Sequence, residues 1–153
     1  MERSPPPHET TFRIRYGEVD RMGYAYHANY LVFFENGRTE LLRSLGETYR
    51  RLEDEGTLLV VVETGVRHVR PAAYDDLVTV RTTLSELRGV RMRFDYELVR
   101  EGEVLATGFT VLAATDPSGR PCRIPRPFRE RIEAQVAGDG KVSRPAAVQQ
   151  GDA

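Results

Sequence analysis

The chain has 153 residues, 29% of them charged, a formal net charge of -1 at pH 7 and one cysteine. Its length suits one domain with a core of its own, and its near-neutral charge gives no general attraction to nucleic acid or to anionic membranes. One cysteine excludes a disulfide framework and a multi-cysteine metal site, and no apolar run approaches the ~20 residues that span a bilayer, so we expect a cytoplasmic protein.

The two ends of the chain lack the pattern of folded elements. Residues 1–9 are polar and include three consecutive prolines, which forbid a helix and donate no hydrogen bonds to a sheet. After Ala137 the sequence loses its apolar periodicity. We therefore expect a disordered arm at 1–9, a single domain at 10–137 and a disordered tail at 138–153.

The start of the domain predicts a strand, a loop and a long helix. Residues 10–16 alternate apolar and polar side chains, as a half-buried strand does. Residues 17–28 are acidic and contain glycine, which predicts a loop. Apolar residues at spacings of three and four then predict a helix over 29–45, with Asn29 as its N-cap and Gly46 just beyond its end.

The rest of the chain predicts four long strands joined by turns. The predicted elements are a short helix at 47–55, strands at 58–70, 77–87, 91–100 and 104–115, and a terminal helix at 128–136. One long helix on one face of a mainly antiparallel five-stranded sheet is an α+β design. Such a sheet leaves open edges, and we expect a second copy of the chain to close one of them.

The loop before the long helix carries residue types that suit acyl transfer. Asp20 precedes Gly23 by three residues and His27 by seven, and the helix follows at once. Free backbone N–H groups and the positive end of the helix dipole can stabilise a developing oxyanion, while a carboxylate activates or delivers a nucleophile. The sequence therefore predicts that the functional site lies here.

This loop and helix resemble the signature of hotdog-fold acyl-CoA thioesterases, of the 4-hydroxybenzoyl-CoA thioesterase/YbgC type. The residues that carry the resemblance are Asp20, Gly23, Tyr26, His27, Asn29, Tyr30, Phe34, Glu35, Arg38, Glu40, Leu42 and Gly46. Weaker matches follow at residues 70–76, 93–96 and 119–125. The resemblance covers residues 11–132, almost all of the expected domain.

The resemblance implies a fold, an activity and an assembly. The fold is a hotdog, in which a curved antiparallel sheet of about five strands wraps around one long helix. The activity is hydrolysis of an acyl- or aroyl-CoA thioester, with no metal and no cofactor beyond the coenzyme A of the substrate. Two copies join edge to edge into a dimer with active sites at the interface, and two dimers pair into a homotetramer.

The resemblance also assigns catalytic roles. Asp20 is the general base or the nucleophile, and the backbone N–H of His27 polarises the thioester carbonyl. A polar residue on a strand of the second subunit completes the site, and Glu63 and Thr64 are the candidates. The chain departs from the family pattern at Tyr24, which replaces a small apolar residue and leaves the shape of the acyl pocket open.

Further residues are candidates for substrate contact. They are Tyr16, Gly23, Tyr24, Tyr26, Thr64, Arg67, His68 and Arg91. Arginine matches phosphate oxygens with paired donors, as binding of coenzyme A requires, although most surface arginines have no such role. The His27 imidazole has two candidate roles: an acid or base in catalysis, or a structural hydrogen bond that shapes the loop.

Three other functions remain to be weighed against thioester hydrolysis of acyl-CoA. The same fold serves hydratases, which usually carry a His-Phe-Pro-type motif, and residues 27–29 do not match it. A non-catalytic acyl-binding protein would have lost an acid such as Asp20. A thioesterase that acts on acyl carrier protein instead of coenzyme A leaves no separate mark in the sequence.

Overall fold

The computed structural model describes residues 5–135 and 142–143. The strands are β1 (His8–Arg13), β2 (Leu58–His68), β3 (Leu77–Arg88), β4 (Arg91–Arg100), β5 (Glu103–Thr115) and the short β6 (Val142–Ser143). The helices are α1 (Asn29–Ser44), α2 (Tyr49–Asp54) and α3 (Arg126–Glu133), with a 3-10 turn at Tyr16–Glu18. Within these described residues, no helix has both the length and the apolar character needed to cross a bilayer.

The five long strands form one antiparallel sheet in the order β1-β3-β4-β5-β2. Strands β1 and β2 therefore lie at the two edges, and β6 pairs in parallel with the end of β3. Helix α1 contacts β1, β3 and β4. This arrangement confirms the predicted α+β fold, in which one long helix packs against an antiparallel sheet of five strands.

The core lies between α1 and the sheet. Tyr30, Phe34 and Leu41 are buried on one face of α1, as their spacing predicted. The ring of Phe34 stacks on that of Tyr96 in β4, with the ring centroids 4.7 Å apart and the planes 5° from parallel. Alternation along β3 and β4 supplies the rest of this layer, because every second side chain of a strand faces the helix.

Gly37 lets the helix approach the sheet closely. A Cβ atom at this position would lie 2.5 Å from Oγ1 of Thr82 and 2.6 Å from Cγ1 of Val80. Both distances are far below a van der Waals contact, so any side chain here would push α1 away from β3.

Several boundaries differ from those expected. Strand β1 begins at His8, two residues before the predicted start, because His8 and Glu9 pair with Thr82 and Arg81 of β3. Strand β2 ends at His68, where the chain turns toward β3. Residues 1–4 and, apart from β6, the predicted tail at 138–153 lie outside the described residues.

The prediction that Asn29 caps α1 is wrong. Ala28 occupies the N-cap position and makes no side-chain cap, while Asn29 is the first helical residue. The Nδ2 atom of Asn29 instead donates a hydrogen bond of 2.8 Å to the carbonyl oxygen of Glu18. Asn29 therefore ties the start of the loop to the start of the helix.

Candidate active site

Asp20 is held by the loop that it begins. Its Oδ1 atom accepts hydrogen bonds from the backbone N–H groups of Met22, at 2.8 Å, and Tyr24, at 3.3 Å. The backbone closes the same turn, since the Asp20 amide donates to the Tyr24 carbonyl at 2.8 Å. Within the part of the chain that the structure describes, Oδ2 has no hydrogen-bond partner. One carboxylate oxygen is thus fixed while the other can contact a water molecule or a substrate.

Gly23 makes the turn around Asp20 possible. Its φ is +79°, in the left-handed region that side chains disfavour. Its amide donates to the Asp20 carbonyl at 3.0 Å, and its own carbonyl accepts from the amide of Tyr74 at 3.0 Å. The glycine thereby connects the turn to the loop between β2 and β3.

The start of α1 presents free backbone amides. The first turn is closed by hydrogen bonds from Asn29 to the Tyr26 carbonyl and from Tyr30 to the His27 carbonyl. Neither the His27 amide nor the Ala28 amide has an acceptor among residues 5–135. Such amides at the positive end of a helix dipole are suited to hold a developing negative charge.

One cavity brings these groups together. It has a volume of about 360 Å³ and is lined by Asp20, Met22, Tyr24, Ala25, His27, Tyr30, His68, Val69, Arg70 and Pro71. The rings of Tyr30 and His68 pack edge to face within it, with their centroids 4.6 Å apart. Asp20, with its fixed carboxylate, and His27, whose amide is unpaired, therefore line one cavity whose remaining walls are mostly apolar and aromatic.

The loop between β2 and β3, residues 69–76, forms one wall of the cavity and supports the Asp20 loop, residues 19–28. The amide of Ala25 donates to the carbonyl of Ala72 at 2.8 Å. The hydroxyl of Tyr30 accepts from the amide of Ala72 at 3.2 Å. These contacts join the Asp20 loop and the first turn of α1 to the same short segment.

Four of the predicted site residues line this cavity: Asp20, Tyr24, His27 and His68. Two predicted tyrosines lie outside it. Tyr16 is 80% exposed and packs edge to face on Tyr74, and Tyr26 is about half exposed beside the His27 ring. Their contact with a substrate stays a prediction.

The remaining predicted residues lie elsewhere within the single chain. Glu63 and Thr64 are exposed on the edge strand β2, about 13–17 Å along the strand from His68. Arg67 borders a separate cavity with Arg93. Arg91 pairs with Ala113 on β5, about 23 Å along that strand from the residue opposite His68. One chain alone therefore does not bring these side chains to Asp20.

Six cavity residues were not among the predicted site residues: Met22, Ala25, Tyr30, Val69, Arg70 and Pro71. Their side chains reach the cavity because the 69–76 loop folds against the Asp20 loop, and no local pattern signals that meeting. Cys122, the lone cysteine, is partly buried, and burial raises the pKa of its thiol. A thiol with a raised pKa stays protonated near neutral pH, which suits a residue without nucleophilic function.

Comparison with known proteins gives consistent matches. The family model described as Thioesterase superfamily matches residues 22–107. The acyl-CoA thioesterase YbgC of Haemophilus influenzae is 38% identical over 105 residues, which is 68% of this chain and 77% of that protein. YneP of Bacillus subtilis is 38% identical over 85 residues, 56% of this chain and 62% of its own length.

A solved structure extends the likeness to three dimensions. The crystal structure of a DHNA-CoA thioesterase from Staphylococcus aureus superposes with a TM-score of 0.76 at 32% identity. The superposition covers 82% of this chain and 86% of that one.

Proposed function

Since the chain belongs to the thioesterase superfamily, we propose that it is a thioester hydrolase that cleaves acyl-CoA to a free acid and coenzyme A. The observation that carries this proposal is the single cavity in which the Asp20 carboxylate and the unpaired amide of His27 lie together. The first can supply a nucleophile, and the second can hold the charge that develops on the thioester oxygen.

The reaction needs two groups from the chain. Asp20, as general base, takes a proton from water while the water oxygen bonds to the thioester carbon. The carbonyl oxygen becomes an oxyanion, and the amide of His27 donates a hydrogen bond to it. Collapse of this intermediate breaks the carbon–sulfur bond, and the coenzyme A thiolate leaves and takes the proton that Asp20 holds.

Asp20 can also act as the nucleophile. Its free Oδ2 would then bond to the thioester carbon, coenzyme A would leave, and water would hydrolyse the resulting anhydride. Both routes use the same oxyanion position and the same fixed orientation of the carboxylate. Neither route uses a metal or a further cofactor.

The lining of the cavity suits an apolar acyl group. Tyr24 and Met22 stand at its exposed rim, where they are 43% and 72% exposed. The aromatic rings of Tyr30 and His68 pack against each other and line its interior. An aliphatic and an aromatic acyl group both fit this chemistry, and a thioester of acyl carrier protein offers the same reacting bond. A non-catalytic acyl-binding protein would use the cavity without the carboxylate.

The edge strand β2 supports a dimer. Val60, Val61 and Val62 are 44–50% exposed on this unpaired edge, and three consecutive exposed valines suit burial against another strand. A second copy paired there would bring its own Glu63 and Thr64 toward the first copy. We propose a cytoplasmic homodimer that completes each active site from both subunits, and a pair of dimers as the homotetramer.

The test is release of coenzyme A from short, long and aromatic acyl-CoAs and from acyl carrier protein thioesters. Wild type and Asp20→Asn are compared with Asp116→Asn. Asp116 is a matched control, because its Oδ1 accepts from the amides of Ser118 and Arg120 as that of Asp20 does from residues 22 and 24. It lies beyond β5, away from the cavity.

The expected result is turnover by wild type and by Asp116→Asn, with a loss of about 10²–10⁴ in kcat for Asp20→Asn. Full activity of Asp20→Asn would remove that residue from the mechanism. Absence of turnover by folded wild type on every thioester, with retained binding of acyl-CoA, would favour the non-catalytic role.

A further inference from the structure

Asp76 lies where three elements meet behind the active site. Its Oδ2 atom accepts a hydrogen bond of 2.8 Å from the backbone N–H of Ala73 and one of 2.7 Å from Nη1 of Arg100. Arg100 is the last residue of β4. The side chains of Asp76 and Arg100 are 22% and 29% exposed, so the pair is partly shielded from water.

The residue that Asp76 holds is opposite the Asp20 loop. Ala73 and Tyr24 form an isolated antiparallel bridge between the 69–76 loop and the Asp20 loop. Two hydrogen bonds flank this pair, from Ala25 to the Ala72 carbonyl and from Tyr74 to the Gly23 carbonyl. The position of Ala73 therefore sets the position of Tyr24.

Tyr24 in turn holds the carboxylate. Its amide donates to Asp20 Oδ1 at 3.3 Å, and its carbonyl accepts from the Asp20 amide at 2.8 Å. A series of contacts thus runs from Arg100 through Asp76, Ala73 and Tyr24 to Asp20, in which the two flanking hydrogen bonds hold Ala73 and Tyr24 side by side. Apart from the Asp76–Arg100 ion pair at one end and the Asp20 carboxylate at the other, this series consists of backbone atoms.

We propose that Asp76 is a positioning residue for thioester hydrolysis, which it supports by fixing the 69–76 loop against the Asp20 loop. The proposal rests on the proposed function. The backbone of Asp76 is anchored independently, because its carbonyl accepts from the amide of Ile14 and the amide of Asp75 donates to the carbonyl of Ile14. The amide of Asp76 also donates to the carbonyl of Ala73 at 3.2 Å. Removal of the carboxylate therefore leaves the loop attached to the strand region, while the amide of Ala73 loses its acceptor.

The experiment compares Asp76→Ala and Asp76→Asn with Asp95→Ala. Asp95 is a matched control, since its carboxylate also pairs with an arginine, Arg93, on β4 but does not contact the 69–76 loop. Two quantities are measured on each full-length variant. They are kcat and KM for acyl-CoA hydrolysis and the hydrogen–deuterium exchange of backbone amides within residues 20–27.

For Asp76→Ala we expect kcat to fall by about 10- to 100-fold, because a small misplacement of a catalytic group has effects of this size, while KM changes by less than about threefold. Exchange within residues 20–27 should accelerate by about tenfold or more. Asp76→Asn keeps an oxygen that accepts from Ala73, so it should recover most of the lost kcat. Asp95→Ala should match wild type in both measurements.

Unchanged exchange in Asp76→Ala would overturn the proposal, and so would accelerated exchange with kcat within about twofold of wild type. An equal loss of kcat in Asp76→Asn and Asp76→Ala would also overturn it, because Ala73 would then not be the contact that matters. If folded wild type hydrolyses no thioester, the proposed function fails, and the exchange result alone decides whether Asp76 holds the Asp20 loop.

Discussion

Gly23 and Gly119 occupy the same place in two loops of the same geometry. Each follows an aspartate by three residues, and its amide donates to the carbonyl of that aspartate, at 3.0 Å for Gly23 and 2.9 Å for Gly119. Their φ angles are +79° and +87°, and neither has a neighbour within 4 Å of the place where a Cβ would lie. Only the first loop faces the cavity and the start of α1.

This pairing gives a prediction with an internal control. Gly23→Ala and Gly119→Ala should each lower the free energy of unfolding by about 1–2 kcal/mol, since each forces a side chain into the left-handed region. Only Gly23→Ala should lower kcat, by about tenfold or more, because its turn orients Asp20. Urea denaturation and coenzyme A release check the two effects. Equal activity in both variants would show that the turn does not set the position of the carboxylate.

Arg38 is a buried cation that pairs with two phenols. It is only 6% exposed, and it donates to the hydroxyls of Tyr49 at 2.5 Å and Tyr96 at 3.1 Å. We expect Arg38→Ala to lower the free energy of unfolding by about 2–4 kcal/mol, because it leaves buried hydroxyls without their donor and a cavity beside α1.

The control for Arg38 is on the same helix. Arg43 has a side chain that is 57% exposed and pairs weakly with Glu40, so Arg43→Ala should change stability by less than about 0.5 kcal/mol. Chemical denaturation of both variants measures the difference. A similar small effect for Arg38→Ala would mean that water replaces the guanidinium in the core.

The same cluster predicts a loss of stability at alkaline pH. Burial raises the pKa of Tyr49 and of Tyr96 above the ordinary value of 10.0. The folded state therefore holds these protons more tightly than the unfolded state, and the associated stability is complete below the unfolded pKa. As pH rises above about 10 the unfolded state loses the protons first, so the free energy of unfolding should fall.

Urea denaturation between about pH 8 and pH 11 measures this decline. The variant Tyr49→Phe removes one of the two buried phenols, so it should show a shallower slope above pH 10 than wild type does. Identical slopes in the two proteins would assign the decline to other groups.

The edge of β2 gives a prediction about assembly. Val61→Lys places a charge on the strand edge where we propose that two copies meet. It should halve the mass in solution, from about twice 17.3 kDa to one chain or from the proposed tetramer to a dimer. Val32→Lys on α1 is the control, because Val32 is 55% exposed and Val61 is 50% exposed. This variant should leave the strand-edge dimer intact. Light scattering after size-exclusion chromatography distinguishes the two. A Val61→Lys protein with the same number of subunits as wild type would show that the interface does not lie at β2.

Local sequence patterns predicted the helices and strands because apolar residues recur at one regular spacing within each of them. Strand β4 has the predicted bounds, Arg91–Arg100, since its alternation runs from Arg91 to Leu98 and turns flank it. The end of α1 was predicted within a residue, because Gly46 follows it with a φ of +81°. The order of the elements and the buried face of the helix follow from apolar spacing and turn residues, because these signals lie within a few residues of one another.

The connections within the site were not predictable in this way. Asn29 bonds to Glu18 instead of capping the helix, and Asp76 bonds to Arg100 at the far end of another strand. These partners are distant in sequence, and only the completed fold brings them within reach. The position of Asp20 could be inferred from its neighbours, whereas the groups that hold it could not.

Tyr24 contributes to the site in two separable ways. Its main chain holds Asp20, and its ring stands at the rim of the cavity. Because almost any residue except proline offers the same amide and carbonyl, a lineage of such enzymes is free to alter the side chain at this position while the carboxylate keeps its orientation. Single substitutions at this position can therefore change the range of substrates while the enzyme keeps its hydrolytic activity at each step.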